Sequence, residues 1–194
     1  MNSFPPTLGL SYFCYIGWLA CSLLADQSAK AARIPEAMTT HRVYLETTVV
    51  GHLTGRIHPD PIISARQKAS LEWWSSRNKY ELYISQIVMD ECAAGDSVAA
   101  AERIQLIAEF PLLDIADSAI QLAEQLILLH AIPATQPRDA LHISIAAVHG
   151  LQYLLTWNFR HIANASTRRL IESTCTNFGF PAPTICTPEE LLGE

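Results

Sequence analysis

Four residues carry side-chain oxygens suited to a hard cation, and three of them lie at the borders of short apolar runs. Glu46 closes "RVYLE", Asp139 opens "DALHISIAAVHG", and Asn158 follows "QYLLTW". Glu91 lies less than two helical turns beyond Ser85, which ends "ELYIS". Mg2+ and Mn2+ prefer oxygen ligands, keep several waters and bridge to phosphate oxygens, so a carboxylate cluster is a suitable holder for either. Each residue also has an ordinary role open to it. Glu46 could be a helix N-terminal acid, Asp139 could cap backbone amides, Asn158 could form an Asx turn, and Glu91 and Asp90 could be solvated surface acids. What sets the four apart is that they all project from one edge of one sheet.

That sheet is legible in the pattern of the chain. From His41 onward, short apolar runs alternate with longer stretches of helical period, as expected of a parallel sheet covered by helices. The strands are read at "RVYLE", "ELYIS", "LLDIA", "QYLLT" and "PTIC". The helices are read at "ISARQKASLEWWSSR", "QIVMDECAA", "SVAAAERIQLIAEF", "SAIQLAEQLILLHA", "RDALHISIAAVHG" and "ANASTRRLIESTCTNFG". Ser85, Asp96 or Ser97, and Asp117 or Ser118 are the expected N-caps, and Gly150 and Gly179 fall where helices should end. In such sheets ligands bind beyond the carboxyl ends of the strands, where the strand order reverses. Glu46 and Asn158 both lie at strand ends of that kind.

Asp139, His142, Ala146 and His149 share one helical stripe. The histidines are read as structural hydrogen-bonders rather than metal ligands. Trp157 is read as packing, though an exposed indole there could stack on a base. The Trp73–Trp74 pair is expected in the core, with an interface as the alternative.

Composition narrows the function classes. The 194 residues, 49% of them hydrophobic, suffice for one domain with a substantial core, and only 16% are charged. A net charge of -6 argues against nucleic-acid binding by a broad basic surface. A nucleic-acid substrate would need metal ions or a local patch, for which Arg160, Arg168 and Arg169 are available. Cys14, Cys21, Cys92, Cys175 and Cys186 are odd in number and lack CxxC spacing, which fits neither a disulfide framework nor a zinc site. Reduced, mostly buried thiols and a cytoplasmic location are the expectation. There is no GxxxxGK[ST] or GxGxxG, so a phosphoesterase acting on small phosphates through a glycine loop lacks support.

Residues 1–40 are read as an N-terminal extension, either disordered or a mis-assigned start, and residues 41–194 as the folded domain. The apolar run from Leu8 to Leu24 is at the lower limit for a membrane span. It has no Lys or Arg before it, as an export signal would, so a membrane or export role is the minor alternative. Met38 is a natural alternative start.

Three stretches, "VYLETTVVGHL", "LYISQIVMDECAAGD" and "DALHISIAAVHGLQYLLTWNFRHIANA", together resemble the PIN-domain family, specifically the VapC-like toxins of type II toxin-antitoxin systems. The likeness spans about residues 41 to 188. It implies a three-layer α/β/α fold with a central, mostly parallel sheet, and a Mg2+-dependent (or Mn2+-dependent) endoribonuclease site that hydrolyses RNA phosphodiesters. By the resemblance, Glu46, Glu91 and Asp139 are the metal-holding acids and Asn158 falls on the fourth acidic position, beside Thr156. Glu in place of the usual Asp at 46 lengthens that arm by one methylene, and Asn158 removes a charge on which a second metal would depend. The family further implies an RNA substrate, a homodimer and a cognate antitoxin whose C-terminal segment fills the acidic cleft. A catalytically weak PIN-like module that binds RNA or protein is the alternative.

Overall fold

The computed structural model describes residues 40–192. Five parallel strands form one sheet, β1 (His41–Leu45), β2 (Tyr80–Ser85), β3 (Leu112–Leu113), β4 (Tyr153–Leu155) and β5 (Thr184–Cys186), in the order β3-β2-β1-β4-β5. Seven helices among the described residues accompany it: α1 (Thr47–Leu53), α2 (Pro61–Ser75), α3 (Gln86–Cys92), α4 (Ser97–Ile107), α5 (Asp117–Leu128), α6 (Pro137–Val148) and α7 (Arg168–Asn177). Helix packing falls into two sets. α1 packs on α2, α3 and α4, while α5 packs on α6 and α7. The result is the α/β class expected from the sequence, a three-layer α/β/α arrangement around an all-parallel sheet.

The central strand explains why the apolar runs were continuous rather than alternating. β1 is paired on both sides, with Val43 in register with Leu82 and with Tyr153, and its Val43, Tyr44 and Leu45 are fully buried. Strands covered on both faces have no solvent side to carry polar residues. The edges are short. β3 has two residues and β5 three, which leaves little unpaired backbone to recruit another chain.

Four helix ends follow their local chemistry. Asp60 accepts from the Ile62 and Ile63 amides ahead of Pro61, and Asp96 does the same for Val98 and Ala99. Gly150 (φ +61°) and Gly179 (φ +91°) take the left-handed conformation just past α6 and α7.

Four expectations need correction. Thr47–Leu53 is a helix missing from the helices read in the sequence, although Glu46 was open to the part of a helix N-terminal acid; its Thr-Thr-Val-Val start carries little local helix preference. The "LLDIA" run is a strand only at Leu112–Leu113, where it pairs with Ile84 and Ser85 at the sheet edge. The last helix begins at Arg168 rather than near Ala163, because the Asn164 side chain accepts from the Ser166 amide and hydroxyl and holds a turn there. Neither Asp117 nor Ser118 caps α5. Ala116 occupies that position without a side-chain bond.

α6 forms the hub of the core. Ala140 and the whole run His142–Ala147 are buried, and α6 packs on α5, whose Leu122 and Leu126 are fully buried. Each fully buried Ile or Leu contributes about 1.5–3 kcal/mol of burial free energy. Trp73 is fully buried and Trp74 packs edge-on against Phe110, so the tryptophan pair belongs to the core. Cys92, Cys175 and Cys186 are buried, and burial pushes the Cys92 and Cys175 thiols up to about 11. Cys14, Cys21 and the apolar Leu8–Leu24 run lie outside the described residues. Among the described residues, no helix is long and apolar enough to cross a membrane.

Candidate metal centre

The strand order reverses between β1 and β4, and the crevice beyond their carboxyl ends is where an open parallel sheet offers a site. Glu46 is the first residue past β1. Its amide still bonds Leu155 of β4 at 3.1 Å, so the backbone is pinned to the neighbouring strand before it turns into α1. Glu46 is the N-cap residue of α1, yet its side chain does not cap. It turns inward instead and is buried, and its Oε2 accepts from the hydroxyls of Thr48 and of Thr156, the latter at 2.7 Å. Both threonines are anchored in turn. Thr48 Oγ1 accepts from the Trp157 amide at 2.8 Å and Thr156 Oγ1 from the Asn158 amide at 2.9 Å. The carboxylate is thereby tied to both sides of the crevice.

Glu91 reaches the same place from α3. Thr47 donates to its Oε2 at 2.6 Å, and His142 Nε2 of α6 stands 3.2 Å from the same oxygen. Arg138 lies 3.7 Å from Oε1. On the far side of the imidazole, Nδ1 is 2.9 Å from Tyr44 Oη, which is itself 2.6 Å from Ser85 Oγ. An ionised carboxylate can only accept, so Nε2 carries a proton toward Glu91; with a neutral imidazole Nδ1 then accepts from Tyr44 and Tyr44 from Ser85, and with a charged one Nδ1 donates to Tyr44 and Tyr44 to Ser85. A cation on Nε2 instead requires the proton on Nδ1. The same chain accommodates that by reversing, with Nδ1 donating to Tyr44 and Tyr44 to Ser85.

Glu46, Glu91 and His142 each present a ligand atom within 4.8 Å of the other two. Ligand atoms on opposite sides of an ion with bonds of about 2.1 Å stand about 4.2 Å apart, so this set needs only a small contraction to hold one. The structure thus brings together two of the four residues singled out in the sequence and adds His142, which the sequence reading set aside as structural. His149, on the same stripe, bonds the Asp114 carbonyl at 2.9 Å and plays that structural part.

Asp139 and Asn158 form a neighbouring pair. Asp139 lies in the first turn of α6, one turn before His142, and its Oδ1 accepts from Asn158 Nδ2 at 3.1 Å. Its Oδ2 is buried and has no hydrogen-bond partner among the described residues. Asn158 Oδ1, which could have faced a cation, accepts from the His161 amide, three residues on, at 3.1 Å in place of the expected Asx turn.

The electrostatics match a site short of positive charge. Burial raises the Glu46 carboxyl above its ordinary range, offset in part by His142 and by the bonds from Thr48 and Thr156. Burial also raises Asp139, and the charge of Glu91 adds to it, against the pull of Asn158, His142 and His161. For Glu91, burial pushes up, but the His142 and Thr47 bonds with the His142 and Arg138 charges outweigh it and hold the group low.

No protein-family model matches the chain. No curated protein shows significant similarity to it either.

Several parts of the site were missed in the sequence, though two signals were present. Thr47 and Thr48 directly follow an acid at a strand end, where hydroxyls can orient it. His142 is the only ionisable residue between Ala140 and Ala147, a stretch otherwise suited to burial. A fully buried ionisable group needs dedicated partners, and Tyr44 with Glu91 supplies them.

Proposed function

We propose that the chain is a metal-dependent endoribonuclease of the PIN-like, VapC-toxin type, using Mn2+ or Mg2+. The observation that carries this reading is the meeting of Glu46, Glu91 and His142 at the reversal point of the sheet, with Asp139 Oδ2, unpartnered among the described residues, beside them. Glu46, Glu91 and His142 would hold the cation, and an imidazole among the three donors favours Mn2+ over Mg2+. Such a cation would supply Lewis-acid polarisation of a phosphate oxygen and a water of lowered pKa. Asp139 Oδ2 would take the proton of the attacking water, a role suited to a carboxyl raised above its ordinary range. Asn158 orients Asp139, and Arg138, 62% exposed over Glu91, contacts a flanking phosphate.

The test is cleavage of single-stranded RNA with Mn2+, with Mg2+ and in excess EDTA, by wild type and by Asp139→Asn. Cleavage that needs the cation and is lost in a folded Asp139→Asn variant is expected. Full activity in EDTA, or equal cleavage by the variant, overturns the assignment. The engagement of Asn158 Oδ1 by the His161 amide favours a second reading, a catalytically weak module that binds RNA or a protein partner. Saturable Mn2+ binding without turnover on varied RNAs would support it. The resemblance to VapC-like toxins is what supports a homodimer and an antitoxin partner, and the unpaired cysteine pattern supports a cytoplasmic location.

A further inference from the structure

Resting on the ribonuclease reading, we propose that Phe159, Trp157 and Arg66 form a stacking platform for one unpaired nucleobase of the RNA, next to the scissile phosphate. Phe159 follows Asn158, so its Cα is about 3.8 Å from that of the residue that bonds Asp139. Phe159 is 46% exposed, and the exposed Ile62 lines the same groove. The ring is also held in position. Trp157, buried beside it with centroids 6.0 Å apart, donates its indole N–H to Ser70 at 2.8 Å, and His52 meets Trp157 edge-on. The Arg66 guanidinium lies 5.0 Å from the Phe159 centroid and 5.8 Å from that of Trp157.

These groups line a groove of about 450 Å3, within the range of small-ligand sites, with Ile62 on its wall and Glu189 at its margin. Aromatic faces and guanidinium planes are what single-stranded RNA recognition uses to hold splayed bases. The chemistry of the groove fits a nucleotide in both its parts, the base on the exposed ring of Phe159 and its phosphate toward the Arg66 guanidinium. Trp157 also links this platform to the metal-binding acids, since its amide donates to Thr48, whose hydroxyl donates to Glu46.

Fluorescence anisotropy with a short, fluorescein-labelled, single-stranded oligoribonucleotide of mixed sequence tests this on the full chain in EDTA, where binding is read without cleavage. Phe159→Ala should weaken binding roughly five- to hundred-fold, the range for loss of one stacked base, while Phe159→Trp retains it. Arg66→Ala should weaken it too, and leave it less dependent on salt than wild-type binding. Thermal melts establish that each variant is folded. Wild-type-like binding by folded Phe159→Ala, or no RNA binding by wild type, overturns the platform. Loss of binding in Phe159→Ala by a protein that never cleaves RNA supports the platform and sinks only the catalytic reading. Cleavage with unchanged binding in Phe159→Ala does the reverse. A groove that takes up a protein partner but not RNA also overturns the proposal.

Discussion

Tyr44 Oη and His142 Nδ1 lie 2.9 Å apart inside the core, and that bond fixes which ring nitrogen faces Glu91. Tyr44 sits on the central strand and His142 on the hub helix, 98 residues later, so the ligand face of the imidazole is set by the fold itself. Burial raises the Tyr44 phenol well above its usual range, which keeps it a neutral hydrogen-bonding group.

Tyr44→Phe should therefore cost both stability and metal affinity. It strands Ser85 Oγ and His142 Nδ1 in the core, a loss of about 1–3 kcal/mol in urea unfolding. Mn2+ affinity should fall about ten- to hundred-fold, as when outer hydrogen-bond partners of metal-binding histidines are removed. Unchanged affinity in a destabilised variant would mean that His142 is purely structural.

Glu46→Gln should separate stability from function. Because burial raises the Glu46 carboxyl, the folded chain binds more protons than the unfolded one between the ordinary Glu value and the raised one. The stability of the metal-free protein must fall as pH rises through that window. Glu91 has the opposite sign. Held low, it adds stability above the ordinary Glu range that is lost as pH falls through its depressed value. Thermal melts in EDTA at about pH 5 and about pH 8 should show Glu46→Gln more stable than wild type at the higher pH, yet unable to bind Mn2+. A variant less stable than wild type at both values would contradict the charge accounting.

Asn158→Asp should deepen the dependence on metal. It sets a second carboxylate beside Asp139, where the present contact is 3.1 Å, so the metal-free variant should melt below wild type. Saturating Mn2+ should recover more stability than in wild type, about 1.4 kcal/mol for each tenfold gain in affinity. Equal metal-induced shifts in the two proteins would place Asn158 outside the reach of the ion.

The strands were readable because burial on both faces leaves runs such as Val43–Leu45 and Leu154–Leu155 without polar interruption. Glu46 and Glu91 were readable for the same reason, as acids at or just beyond the ends of such runs. α1 was not, since a seven-residue helix rich in β-branched residues is specified by packing on α2, α3 and α4 rather than by local preference. Nor could spacing alone reveal the part played by His142. Its Nε2 faces Glu91 only because Tyr44 and Ser85, on two adjacent strands, hold the other nitrogen. The pairing of Asp139 with Asn158 likewise depends on how the loop after β4 folds back toward the first turn of α6.

The central claim is that Glu46, Glu91 and His142 share one divalent cation. Isothermal titration of Mn2+ into metal-free wild type, Glu91→Gln and His142→Ala tests it most directly, with melts to establish that each protein is folded. Wild type should bind a single ion per chain, reversibly with EDTA, and each variant should bind it at least about tenfold more weakly. Absence of saturable binding by wild type, or wild-type affinity in both folded variants, would contradict the account.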